Sequence, residues 1–167
     1  MAGMTFEIEL KFRISAGRLA AVRRAVATRT ARTLPLAAIY LDSADQRQAQ
    51  ARVALRLRRE GAAWVQTLKA EGANDLRRLE HNLALGDALE TPAWDIARHH
   101  GSEAGARLRQ VLADALAPTL GERYATDIVP TQRVLRSGGA RIELALDEGW
   151  ISAGAQRLAA GGLRAGV

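Results

Sequence analysis

Phe6-Glu7-Ile8-Glu9-Leu10-Lys11-Phe12 alternates at every position. Phe6, Ile8, Leu10 and Phe12 fall on one side of an extended chain, and Glu7, Glu9 and Lys11 on the other. That period of two is the signature of a β-strand. The apolar side needs no comment. The polar side sets two carboxylates about 7 Å apart at strand rise, with an ammonium next in line. Neighbouring like charges repel unless something positive lies between them, and hard divalent cations take carboxylate oxygens. The solvated outer face of an antiparallel sheet fits the same pattern.

The alternation recurs down the chain. In Val53 to Arg59, Leu55 and Leu57 face one way and Arg56 and Arg58 the other, with Glu60 continuing the charged side. Gly61-Ala62 turns the chain, and Trp64 to Ala70 returns as a hairpin partner, with Val65, Thr67 and Lys69 on one face. If Arg56, Arg58 and Lys69 share a sheet face, three cations converge, which is unfavourable unless an anion binds among them. Leu79 to Leu85 alternates again: Arg78, Glu80 and Asn82 on one side, Leu79, His81, Leu83 and Leu85 on the other. His81 reads as a rim or packing residue and not as a ligand. Arg141, Glu143, Ala145 and Asp147 share one face of a later strand, and Ile142, Leu144 and Leu146 the other. Ala38 to Leu41 reads as a short strand. Ala125 to Arg136 reads as a strand interrupted by Pro130, at an edge or a bulge.

Helical spacing is found elsewhere. Ser15 is a candidate N-cap for a helix carrying Leu19, Val22 and Val26, expected to end near Thr33 because Pro35 follows. Gln46 to Ala51 suggests a helical turn, and Thr91-Pro92 opens a short helix through Trp94, Ile96 and Ala97. Ser102 caps a helix whose buried stripe is Leu108, Val111, Leu112 and Leu116, ending at Pro118. His99 and His100 are adjacent, so their rings diverge on any regular element and do not suggest a metal pair. Ala153 to Val167 is rich in Ala and Gly and has no acid. It reads as a disordered tail or weak helix, giving a domain over 1–152 and a tail over 153–167.

Composition bounds the function. The chain has 167 residues, enough for one domain with a core. Aromatics are 4%, so aliphatic residues must build that core. The 24 Lys and Arg outnumber the 18 Asp and Glu, for a formal charge of +6. Most of the bases are Arg, the side chain of planar oxyanion recognition, so an anionic partner is expected. Cysteine is absent, which excludes disulfides and thiolate metal sites. No apolar run is long enough to span a membrane, and no signal peptide is evident, so a cytoplasmic location is expected.

Five or six strands, each with an apolar and a charged face, would fit a sheet closed with its charged faces inward and helices covering parts of the outside. Such a polar interior must hold water, ions and ligand rather than side chains alone. Bases there would grip a polyphosphate and acids would hold Mg²⁺ or Mn²⁺.

Glu7-x-Glu9-x-Lys11 resembles the ExExK signature of the CYTH, or triphosphate tunnel metalloenzyme, family. YLDSAD, ALRLRRE, WVQTLKA, LEHNLAL and RIELALDEG follow in that family's order, and the similarity spans roughly residues 5–152. The bacterial inorganic triphosphatases are the most similar branch. The resemblance implies an α+β fold, an antiparallel β-barrel (the triphosphate tunnel) with flanking helices. It implies a hydrolase of inorganic triphosphate or nucleoside triphosphates that depends on Mg²⁺ or Mn²⁺. Carried over by position, Glu7, Glu9, Glu143 and Asp147 would be metal ligands. Lys11, Arg56, Arg58, Lys69, Arg78, Arg133 and Arg141 would bind substrate, with Lys11 and Asp147 nearest the chemistry. Family members usually continue into a strand of alternating glutamates. Residues 153–167 supply none, as if the C-terminus were truncated or its reading frame changed. The expectation is an incomplete tunnel with unpaired edges, and weak or absent turnover with phosphate binding retained. The readings set against a triphosphatase are class IV adenylate cyclase or thiamine triphosphatase within the fold, and a non-catalytic polyphosphate, nucleotide or nucleic-acid module outside it. Few aromatics are available for base stacking, which disfavours nucleic acid. A homo-oligomer is compatible with the sequence.

Overall fold

A computed structural model describes residues 9–71, 78–112 and 120–166, with the side chains of Glu9 and Arg78 outside the description. Glu7, Leu116 and Pro118 therefore lie outside the described residues. The strands are β1 (Glu9–Phe12), β2 (Arg32–Thr33), β3 (Leu36–Asp42), β4 (Val53–Glu60), β5 (Ala63–Glu71), β6 (Arg78–Asp87), β7 (Gly121–Ser137), β8 (Ala140–Ala153) and β9 (Gln156–Gly166). The helices are α1 (Ala16–Val26), α2 (Arg47–Gln50) and α3 (Glu103–Leu112), with a 3₁₀ turn at Ile96–His99. The strand order is β1-β9-β8-β7-β3-β4-β5-β6, with β2 also on β7. Every register given for these pairs is antiparallel. Among the described residues the order ends at β1 and at β6, so the sheet is antiparallel, accompanied by a few helices and not closed, in keeping with the incomplete tunnel expected.

The chain forms two units. One comprises residues 36–126 and 152–156. Its strands β3 to β6 place Leu41, Leu55 and Leu68 on one face, where Ala104 and Leu108 of α3 complete a buried cluster with Val53, Ala70 and Leu120. The α3 stripe foreseen from spacing is met at Leu108, Val111 and Leu112. Asp42 ends β3 and turns the chain into α2: its buried carboxylate accepts from the backbone amides of Ser43, Gln48 and Ala49 at 2.7–3.0 Å. That satisfies donors left open at a helix start.

The other unit comprises residues 1–35, 127–151 and 157–167. Leu19, Val22 and Val26 form the inward stripe of α1, with Val26 buried. The helix stops at Val26, short of the expected Thr33. Thr28 and Thr30 are poor helix formers, and Arg32 and Thr33 instead pair with Gln132 and Thr131 as β2.

Two other expectations are corrected here. Pro130 does not interrupt its strand; β7 runs unbroken over 17 residues, and Pro130 is fully buried within it. The segment after residue 153 is neither coil nor helix but β9, hydrogen-bonded to β8 and to β1. Its register sets Lys11 opposite Arg164 and Phe12 opposite Leu163. An Ala- and Gly-rich segment has little amphipathic pattern, but its backbone amides and carbonyls complete two ladders at once, which side-chain periodicity does not reveal.

Candidate functional site

In the first unit the registers collect polar side chains on the face of the sheet opposite α3. Tyr40 pairs with Arg56, Arg56 with Thr67 and Thr67 with Asn82, a single row across four strands. The next row is Ala38, Arg58, Val65 and Ala84, and on the other side Ala54, Lys69 and Glu80 align. The expected convergence of Arg56, Arg58 and Lys69 on one face is therefore met. Two of the three charges are offset locally. Lys69 Nζ lies 2.9 Å from Glu80, and Arg58 lies 2.7 Å from Glu60. Arg56 instead donates to the Tyr40 hydroxyl at 3.3 Å.

The guanidinium Nε–H groups of Arg56 and Arg58 are buried and find no acceptor among the described residues. A buried, unsatisfied charged donor is costly unless an acceptor arrives. Two such donors in adjacent rows of one face suit an oxyanion with several acceptor oxygens. Thr67 donates to Asn82 at 2.7 Å, and Asn82 to Glu80 at 2.9 Å, which holds the row rigid. Burial pushes the Glu80 carboxyl up, but hydrogen bonds from Lys69 and Asn82 and the charges of Lys69 and Arg56 outweigh it, leaving it below the ordinary value. Glu80 is accordingly ionised at neutral pH. Tyr124 stacks on Tyr40 at 4.3 Å, and burial first and Tyr40 second raise its hydroxyl to about 12, so it stays protonated. Arg78 takes a position on β6 opposite Glu71.

In the second unit the face of β8 carrying Arg141, Glu143, Ala145 and Asp147 is recovered. Arg141 and Glu143 are exposed and 3.6 Å apart. They line a cleft of about 800 Å³ together with Arg32 and Arg136. Arg133 also borders this cleft, but its guanidinium donates to the Ala25 carbonyl and so ties β7 to the end of α1. Asp147 is half-buried, and both its oxygens accept from the guanidinium of Arg164, one of them from Nη2 at 2.8 Å. Lys11 shares the cross-strand row of Arg164. The sequence reading missed Arg164 because β9 was not recognised as a strand.

Carboxylate oxygens are the right donors for Mg²⁺ or Mn²⁺. Among the described residues, however, no three Asp, Glu or His side chains gather to hold an ion. Asp147 is taken by Arg164, and Glu143 by Arg141. The described acids do not by themselves fit a metal, and the side chains of Glu7 and Glu9 lie outside the description.

The family model for the CYTH domain matches residues 5–149, and the chain belongs to that family. Its members are typically enzymes acting on triphosphates, and the tunnel enzymes among them generally depend on divalent metal. No curated protein matches the sequence. Solved structures share the fold. A Hippeastrum protein, described as a candidate adenylyl cyclase with a dominant triphosphatase activity, superposes with a TM-score of 0.61 at 16% identity, covering 96% of this chain and 78% of that one. A candidate adenylate cyclase from Bacillus halodurans gives 0.61 at 16%, covering 96% and 80%. The PH1819 protein of Pyrococcus horikoshii gives 0.50 at 18%, covering 97% and 77%. No helix among the described residues is long and apolar enough to cross a membrane.

Proposed function

We propose that this chain binds inorganic triphosphate or a related triphosphate and hydrolyses a phosphoanhydride bond in it, with turnover reduced because residues 153–167 carry no acid. The observation that carries the binding half is the pair of buried, unsatisfied Nε–H donors on Arg56 and Arg58 beside Lys69. Their three positive charges would neutralise phosphate oxygens on binding and the charge that moves between oxygens as the bond breaks. Tyr40 orients Arg56, and Glu80 and Glu60 keep Lys69 and Arg58 extended along the face. In-line attack by water needs no nucleophilic side chain, and none is assigned.

The motif separately assigns Lys11 to phosphate. Arg78, Arg133 and Arg141 were expected to bind substrate; Arg133 is better read as a helix tie, and Arg141 as part of the Arg-lined cleft. The metal assignment of Glu7 and Glu9 rests on the motif, and Mg²⁺ or Mn²⁺ enters only as a variable of the assay. A second reading, a polyphosphate-binding module without turnover, is favoured by the clasp of Arg164 on Asp147.

The deciding experiment measures phosphate release from inorganic triphosphate and from ATP, with Mg²⁺, with Mn²⁺ and with EDTA, alongside calorimetric binding. Arg56→Ala should weaken triphosphate binding about tenfold or more. Unchanged affinity in that variant would sink the basic face as the binding site. Binding without release would decide for the module.

A further inference from the structure

Arg164 stands on the strand that side-chain pattern did not announce, directly across from Lys11 in the β1–β9 register. Its Nε and Nη2 donate in parallel to the two oxygens of Asp147, a side-on fork that fixes guanidinium and carboxylate in one plane. The two side chains are 33% and 21% exposed, so the pair is partly shielded from water and held more firmly than an ion pair on open surface. A carboxylate whose two oxygens both accept from a guanidinium has few lone pairs left for a divalent ion. Bringing that ion within about 4 Å of Arg164 would also cost on the order of several kcal/mol of repulsion at surface-like dielectric.

The geometry points to a changed role for Asp147. Asp147 is the anchor of Arg164 and not a metal ligand, and Arg164 presents its guanidinium, beside Lys11, to phosphate oxygens of the substrate. The phosphate half of this inference rests on the reading of the chain as a triphosphate binder; the anchor half stands on the Asp147 contact alone. Asp147 is then a positioning residue. Phosphate binding at Arg164 does not require a divalent cation.

Two measurements on the full chain separate the halves. In a Mn²⁺ titration followed by electron paramagnetic resonance, Asp147→Asn leaves Mn²⁺ affinity unchanged. Arg164→Gln, which releases the carboxylate, raises that affinity about tenfold, and the double variant loses the gain. A wild-type Mn²⁺ site that Asp147→Asn abolishes overturns the anchor, as does an Arg164→Gln variant that gains nothing. Calorimetry with inorganic triphosphate in EDTA reads the other half. Arg164→Gln weakens binding about tenfold, and Arg164→Lys, which keeps the charge and loses the fork, lies between. Equal affinity for wild type and both variants overturns the phosphate contact. Binding at Arg56 with no effect at Arg164 leaves the proposed function standing and refutes only this contact, whereas no binding at all refutes both. Circular dichroism melting confirms that each variant is folded, and Arg164→Lys supplies the readout if Arg164→Gln is not.

Discussion

His99 shows how little a residue's type says before its neighbours are known. It is wholly buried, and its partners fix its state. Gln66 is oriented by Asp95, accepting from that residue's amide at 3.0 Å and donating to its carbonyl at 2.7 Å. The Gln66 amide nitrogen is thereby turned toward His99 Nε2 at 2.8 Å, which must accept. The proton sits on Nδ1 and is donated to His81 Nδ1 at 2.9 Å. Burial, then the charges of His81 and Arg98, depress the His99 pKa from 6.5 to about 4. The unfolded chain therefore binds the extra proton more readily between those values. The stability from this neutral ring is present above pH 6.5 and is lost as pH falls toward 4. Urea midpoints taken from pH 7 to pH 4 should fall, with a contribution of at most about 1.4 kcal/mol per pH unit from this group. His99→Gln should flatten that part of the slope. An unchanged slope would mean that His99 is not the proton acceptor. The sequence placed His81 correctly on the packed face of its strand. It could not show that His99, distant in the chain, would meet it.

At the scale of elements, the hairpin β4–β5 was legible because alternation and the turn residues Gly61-Ala62 coincide there, and β6 was legible from alternation alone. One feature of the RIELALDEG segment has a packing cause. A Cβ on Gly149 would lie 1.9 Å from the Asp127 carbonyl oxygen, so β8 approaches β7 more closely than any side chain allows. The obstructing atom is backbone and cannot swing aside. Gly149→Ala should destabilise the protein by about 3 kcal/mol, read as a lower urea midpoint. A change under about 0.5 kcal/mol would show that the strands separate freely there. Glycine in a strand commonly marks such an approach. β9 is the counter-case. Gln156 to Gly166 offers almost no large apolar side chain, so only its long-range pairing with β1 and β8 makes it a strand.

For the whole molecule, the charge of +6 and the Arg-dominated polar faces point to a polyanionic partner, and a triphosphate class of ligand, as proposed above, fits membership of the CYTH family. Ligand that binds only the folded chain must raise its melting temperature. Inorganic triphosphate at about 100 times its dissociation constant should add roughly 2.7 kcal/mol, a shift of about 5–10 °C for a chain of this size. Monophosphate at equal ionic strength should give far less; an equal shift would indicate general salt stabilisation and not a site. What the sequence determined by itself was the alternation of faces, and with it most of the strands, the apolar core of the first unit and the basic face of Arg56, Arg58 and Lys69. Those depend on local periodicity, which is written residue by residue. The tertiary structure alone decided that the acid-free end is a strand, that Arg164 takes Asp147, that Arg133 ties a helix and that His99 stays neutral. Each depends on a partner far away in the chain, and no local pattern encodes the identity of a distant neighbour.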